Sequence, residues 1–188
     1  GRYLSKNNQN IARIEYLEST FPDSRILILF RDPLQHAASL LRQHKNFLKI
    51  HQEDSFAQKY MHNTGHFDFG KNLRPVDFNG WLSKRPQEDP GTIAFWLQYW
   101  LNTYRYLINC SNDRVRFFSF DALCSDPKRG LEKLGWILNL KDSGKLIKSV
   151  DRIDTPSVYT VEPDDVASDT LDQAQGLYLT MEKKASRY

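Results

Sequence analysis

Phe21-Pro22-Asp23-Ser24-Arg25-Ile26-Leu27-Ile28-Leu29-Phe30-Arg31-Asp32-Pro33 is the stretch that decides the fold. Its middle, Ile26 to Phe30, is an unbroken apolar run, the mark of a strand buried on both faces and hence of a parallel sheet. Upstream, Phe21-Pro22-Asp23-Ser24 predicts a stop, because proline disfavours helix at the residue before it and Asp-Ser suits a turn. Downstream, Asp32 is a helix N-cap and Pro33 stands at N1, where its missing N–H is not needed, so a helix is predicted from Pro33 to beyond Leu41. Arg31 therefore falls where a buried strand meets a capped helix, the place at which open α/β sheets take ligands. An arginine facing the N–H groups of a helix N-terminus attracts an anion such as a phosphate. Ser39 follows eight residues later, about two helical turns on, and offers a neutral hydroxyl to the same anion. The residues alone leave a second reading open, in which Arg31 pairs with a nearby carboxylate and Ser39 is a small packing residue.

Outward from this stretch, Ile11, Ile14 and Leu17 predict a helix over Asn10 to Leu17. The region 44–90 holds histidine, asparagine, glycine and aromatic residues without a sustained period, and reads as an irregular insertion with short helices, expected to serve as an acceptor-binding lid. Thr92 to Ile108 is the most regular helix, with Ile93, Trp96, Leu97, Trp100, Leu101, Tyr104, Leu107 and Ile108 on one side and Gln98, Asn102 and Arg105 on the other. Arg114 to Phe120 alternates as a second strand of the same sheet. Helices are expected over Pro127 to Leu138, Asp142 to Ile153 and Thr170 to Lys184, the last turning Leu171, Ala174, Leu177, Tyr178 and Met181 inward, and Thr155 to Pro163 is expected to be a loop. The pattern predicts one α/β domain over 1–188, a parallel sheet flanked by helices. Two strands are few for such a sheet, so the chain is expected to be cut short at its N-terminus.

At 188 residues, with 40% hydrophobic and 13% aromatic content, the chain can bury a core without staples. A net charge of +3 from nearly balanced acids and bases argues against a nucleic-acid binder and leaves room for a local basic site. No run reaches the roughly 18 apolar residues of a membrane span, and the polar stretch from Gly1 to Asn10 does not read as a signal peptide, so neither anchor nor signal peptide is expected. Two cysteines, Cys110 and Cys124, make neither a disulfide framework nor a zinc site and fit a reducing, cytoplasmic compartment.

The run from Phe21 to Pro33, followed by Ser39, resembles the 3′-phosphate-binding motif of sulfotransferases that use 3′-phosphoadenosine 5′-phosphosulfate (PAPS), closest in pattern to the bacterial and tyrosylprotein types. Val115 to Leu140 resembles a second feature of that family, with Phe120-Asp121-Ala122-Leu123 and Asp126-Pro127 in place. The resemblance implies a P-loop-kinase-like α/β fold and transfer of a sulfuryl group to an acceptor hydroxyl or amine on a small molecule, glycan or peptide. It also implies release of 3′-phosphoadenosine 5′-phosphate (PAP), with no metal. It places Arg31 and Ser39 on the 3′-phosphate and Phe120 against the nucleotide, where relatives carry a tyrosine whose hydroxyl this chain lacks.

By the same resemblance Lys6 stabilises charge on the transferring group, and Thr155-Pro156-Ser157-Val158-Tyr159 forms the loop that closes over the donor, with Ser157 near the sulfate. The small-molecule branch carries a catalytic histidine where this chain has Asn8, which cannot act as a base. The family's first phosphate-binding loop is expected upstream of Gly1, together with a carboxylate base. His62 and His66, spaced i, i+4, suggest a metal pair, against which stand the helix-poor Thr64 and Gly65 and the lack of a third ligand. The alternative function is a non-catalytic 3′-phosphonucleotide-binding or regulatory module.

Overall fold

The computed structural model describes residues 3–84, 89–161 and 166–187. Residues 85–88 of the expected insertion and 162–163 of the expected loop lie outside the described residues. The protein is α/β, 64% helical, with a small two-stranded parallel sheet flanked by helices. The chain divides into two compact units, Gly1–Arg31 with Tyr106–Ser157 and Leu179–Tyr188, and Asp32–Arg105 with Val158–Tyr178.

The first unit is built on the sheet. Strand β1 (Ile26–Phe30) pairs in parallel with β2 (Val115–Ser119), Ile26 opposite Val115 and Phe30 opposite Ser119. On one face Ile28, Phe30, Val115 and Phe117 are buried, and the rings of Phe30 and Phe117 meet edge to face at 5.8 Å. Burying each such side chain contributes about 1.5–3 kcal/mol, to which the ring geometry adds about 0.5–1.5 kcal/mol. On the other face Phe118 packs with Leu123, Leu131 and Ile137, and Leu27, Phe120 and Leu134 close around them. β2 is thus covered on both faces, whereas β1 is covered only in part: Leu29, expected to be buried, is 54% exposed.

Helix α1 (Ile14–Thr20) precedes the sheet, after a 3₁₀ turn at Asn8–Ala12 that replaces the first half of the single helix expected there. Arg114 joins α1 to the start of β2, donating to the carbonyls of Glu18 at 3.2 Å and Pro22 at 2.7 Å and pairing with the Glu18 carboxylate at 3.2 Å. Phe120 is not the end of the strand. It opens helix α6 (Phe120–Ser125), because the Ser119 hydroxyl caps the N–H of Ala122. In α7 (Pro127–Ile137), Asp126 caps Arg129 and Pro127 stands at N1. The helix expected over Asp142 to Ile153 resolves into α8 (Gly144–Ile147) and a 3₁₀ turn at Val150–Arg152.

The second unit is helical. Helix α2 (Pro33–Glu53) runs well past Leu41, so its last ten or so residues take up what was expected to be irregular insertion, and α3 (Ser55–Asn63) follows at once. The continuation is held by buried His44 and His51, which face inward two turns apart. Short turns at Gly70–Asn72 and Phe78–Gly80 and helix α4 (Trp81–Lys84) complete the region.

Helix α5 (Ile93–Cys110) is buried nearly all round: Phe95, Trp96, Leu97, Trp100 and Leu101 are each 4% exposed or less. Gln98, expected on the polar side, is 4% exposed as well and donates from Nε2 to the Thr170 hydroxyl at 2.9 Å, which satisfies it in the core. Helix α9 (Ser168–Ser186) closes the chain, with Ala174, Met181 and Ala185 buried and Leu171, Leu177 and Tyr178 half-buried. Among the described residues no helix is long and apolar enough to cross a membrane.

Candidate functional site

Arg31 is the last residue of the first of the three stretches that make up the first unit, immediately after β1. The guanidinium lies 5.7 Å from the centroid of the Phe120 ring, at the corresponding end of β2. Its Nε is buried and has no hydrogen-bonding partner among the described residues. Among the described residues Arg31 makes no ion pair, so the carboxylate pairing that sequence left open for it is not found there. A buried guanidinium N–H without an acceptor forgoes the hydrogen bond that such groups nearly always make, and its natural complement is an anion.

Phe120 reaches this position because the α6 cap turns the chain just after β2, and its ring also packs against the Phe118 cluster. One helical turn on, Cys124 comes within electrostatic reach of Arg31. Burial and the neighbouring Asp121 push its thiol pKa up, and the Arg31 charge partly offsets them. The Cys124 thiol donates to the carbonyl of Asp154 at 3.6 Å, which anchors the start of the segment running to Ser157 on α6. In the sequence Cys124 was read only for compartment, because two cysteines so spaced carry no site pattern.

Ser39 belongs to the second unit. It is half-buried on α2, and its hydroxyl makes no hydrogen bond within the described protein. The α2 N-terminus is less open to an anion than expected. Pro33 has no N–H, and the Asp32 carboxylate already accepts the N–H of Gln35 at 2.8 Å. Only the N–H of Leu34 is left in the first turn, so attraction for an anion rests on side chains.

Lys6 and Ser157 are both exposed. The Lys6 ammonium donates to Asn8 Oδ1 at 2.8 Å, and Ser157 makes no hydrogen bond within the described protein. Among the described residues no hydrogen bond or ion pair joins either of them to Arg31. The His62/His66 pair is separated by the end of α3: Gly65 takes φ +78° and the N–H of His66 turns back to the Met61 carbonyl at 2.9 Å, a Schellman-type stop. The two imidazoles therefore do not share a helical face.

Comparison with known proteins finds no matching family model, no similar curated protein and no similar solved structure.

Proposed function

We propose that this chain is part of a PAPS-dependent sulfotransferase, with a P-loop-kinase-like fold, and that it carries the site for the 3′-phosphate of the donor. The observation that supports this reading best is the buried Nε of Arg31, left without an acceptor beside Phe120 at the end of a parallel strand. In this reading Arg31 holds the 3′-phosphate through charge-assisted hydrogen bonds. Ser39, placed by its spacing in the motif, adds a neutral one. Phe120 lines the nucleotide site with its ring. Lys6 steadies the leaving oxygen, where negative charge grows in the transition state, and Ser157 offers a hydroxyl near the sulfate. The acceptor oxygen or nitrogen attacks sulfur, the bond from sulfur to the phosphate oxygen breaks, and PAP leaves. The acceptor proton passes to a base this reading does not assign. The acceptor is a small molecule, glycan or peptide, and the free state of Cys110 and Cys124 suits a cytoplasmic setting.

The test is equilibrium binding of PAP and of adenosine 5′-phosphate, which lacks the 3′-phosphate. Arg31→Ala is expected to weaken PAP binding by about 2–3 kcal/mol and to leave adenosine 5′-phosphate unaffected, while Ser39→Ala costs about 1 kcal/mol, as for a neutral donor. Equal losses for both nucleotides would sink the assignment. One observation favours the alternative, a non-catalytic module binding a 3′-phosphonucleotide: the Lys6 ammonium is exposed and held by Asn8. Tight PAP binding without sulfate transfer from PAPS to any of a broad panel of phenols, sugars and peptides would establish that alternative.

A further inference from the structure

Gln35, Ser39 and Arg42 stand at i, i+4 and i+7 on α2, in line along one face of the helix. A single residue, far away in sequence, touches both ends of that line. The Gln35 amide donates to the Tyr159 carbonyl at 3.0 Å and accepts the Tyr159 N–H at 2.7 Å, the paired exchange by which one strand holds another. The Arg42 guanidinium lies 5.8 Å from the centroid of the Tyr159 ring. Ser39 sits between these two contacts with its hydroxyl unpartnered, and exposed Arg42 makes no ion pair among the described residues. Helical side chains lean toward the N-terminus of their own helix, which carries the Arg42 guanidinium back over the turn that presents Ser39. All of this lies within the second unit.

From this arrangement we infer that Arg42 is a further binding residue for the phosphate monoester assigned to Ser39, and that Gln35 is a positioning residue which holds the Tyr159 backbone over it. The inference rests on the 3′-phosphate reading. A hydroxyl by itself holds a phosphate weakly. A guanidinium supplies both charge and a fork of donors, and contact with an aromatic ring restricts its orientation beforehand. Tyr159 therefore does for Arg42 what Gln35 does for Tyr159.

Titration with PAP and with adenosine 5′-phosphate tests this, with Arg31→Ala run alongside. Arg42→Ala is expected to lower PAP affinity about tenfold and leave adenosine 5′-phosphate unchanged, with Arg42→Lys in between because a point charge replaces the fork. Gln35→Leu is expected to speed hydrogen exchange at the Tyr159 amide and to lower PAP affinity by less. Gln35→Glu, which keeps the acceptor, retains the protection. If Arg42→Ala leaves PAP affinity unchanged while Arg31→Ala lowers it, the role of Arg42 is overturned and the 3′-phosphate reading stands. Equal losses for both nucleotides in Arg42→Ala likewise overturn the phosphate contact. A wild-type chain that does not distinguish the two nucleotides overturns both readings. Unchanged exchange at Tyr159 in Gln35→Leu overturns the positioning role.

Discussion

Gly70 shows how narrowly single residues are constrained around the inner face of α2. Its φ is +69°, and a Cβ added there would lie 2.6 Å from Nδ1 of His51 and 3.0 Å from Cβ of Phe47. Gly65 has a similar φ, +78°, with nothing within 4 Å of an added Cβ. The pair separates two costs. Gly65→Ala should lose only the backbone part, about 1 kcal/mol. Gly70→Ala adds overpacking of a buried site and should lose about 2–4 kcal/mol in all. Urea unfolding midpoints of the two variants measure the difference, and equal losses would mean that the imidazole yields. At the same scale, Arg31 was legible in the sequence because its signal is local: an apolar strand, then Arg-Asp-Pro. Gln35, Arg42 and Tyr159 were not, since their link spans more than a hundred residues and polar side chains leave no period.

Among the elements, α2 and the Gly70–Asn72 turn form a joint that depends on the protonation state of two histidines. His44 Nδ1 accepts the N–H of Gly70 at 3.1 Å, and His51 Nδ1 accepts the N–H of Lys71 at 3.2 Å, so both imidazoles must be neutral at Nδ1. Burial lowers the pKa of each. Around His44, Asp89 opposes that shift and Lys45 adds to it, and Lys71 adds to it at His51. The folded protein therefore binds fewer protons than the unfolded chain below the ordinary histidine value of about 6.5. The stability from these contacts is full above that pH and is lost as the pH falls toward the lowered folded-state values. The urea midpoint is expected to drop below about pH 6.5, with faster exchange at the Gly70 and Lys71 amides. A His44→Asn/His51→Asn double variant, which keeps a non-titrating acceptor at each position, should flatten the response; an unchanged slope in that variant would contradict the account. These histidines also explain why the end of α2 was illegible. A helix whose inward positions are His44 and His51 gives no apolar period, although the interior contacts are as specific as those of leucines.

The molecule holds a small sheet and a set of helices in two compact units, and α5 is the most deeply buried of its long helices. A helix buried nearly all round opens only when its surroundings do. The amides of Leu97 and Leu101 should therefore be among the slowest to exchange in the chain, at the rate of global unfolding, and faster exchange there than in α1 would contradict this. The strands and α5 were legible because apolar residues alone define them. The burial of Gln98 was not, because its partner Thr170 lies seventy-two residues away.

The central claim, that a 3′-phosphonucleotide meets the chain at Arg31, is tested most directly by a crystal structure of the protein with PAP bound. The account predicts the 3′-phosphate within about 2.7–3.2 Å of the Arg31 guanidinium, Nε included, with Phe120 lining the nucleotide. A 3′-phosphate lying in solvent or elsewhere on the protein, with the Arg31 Nε still lacking an acceptor, would contradict it.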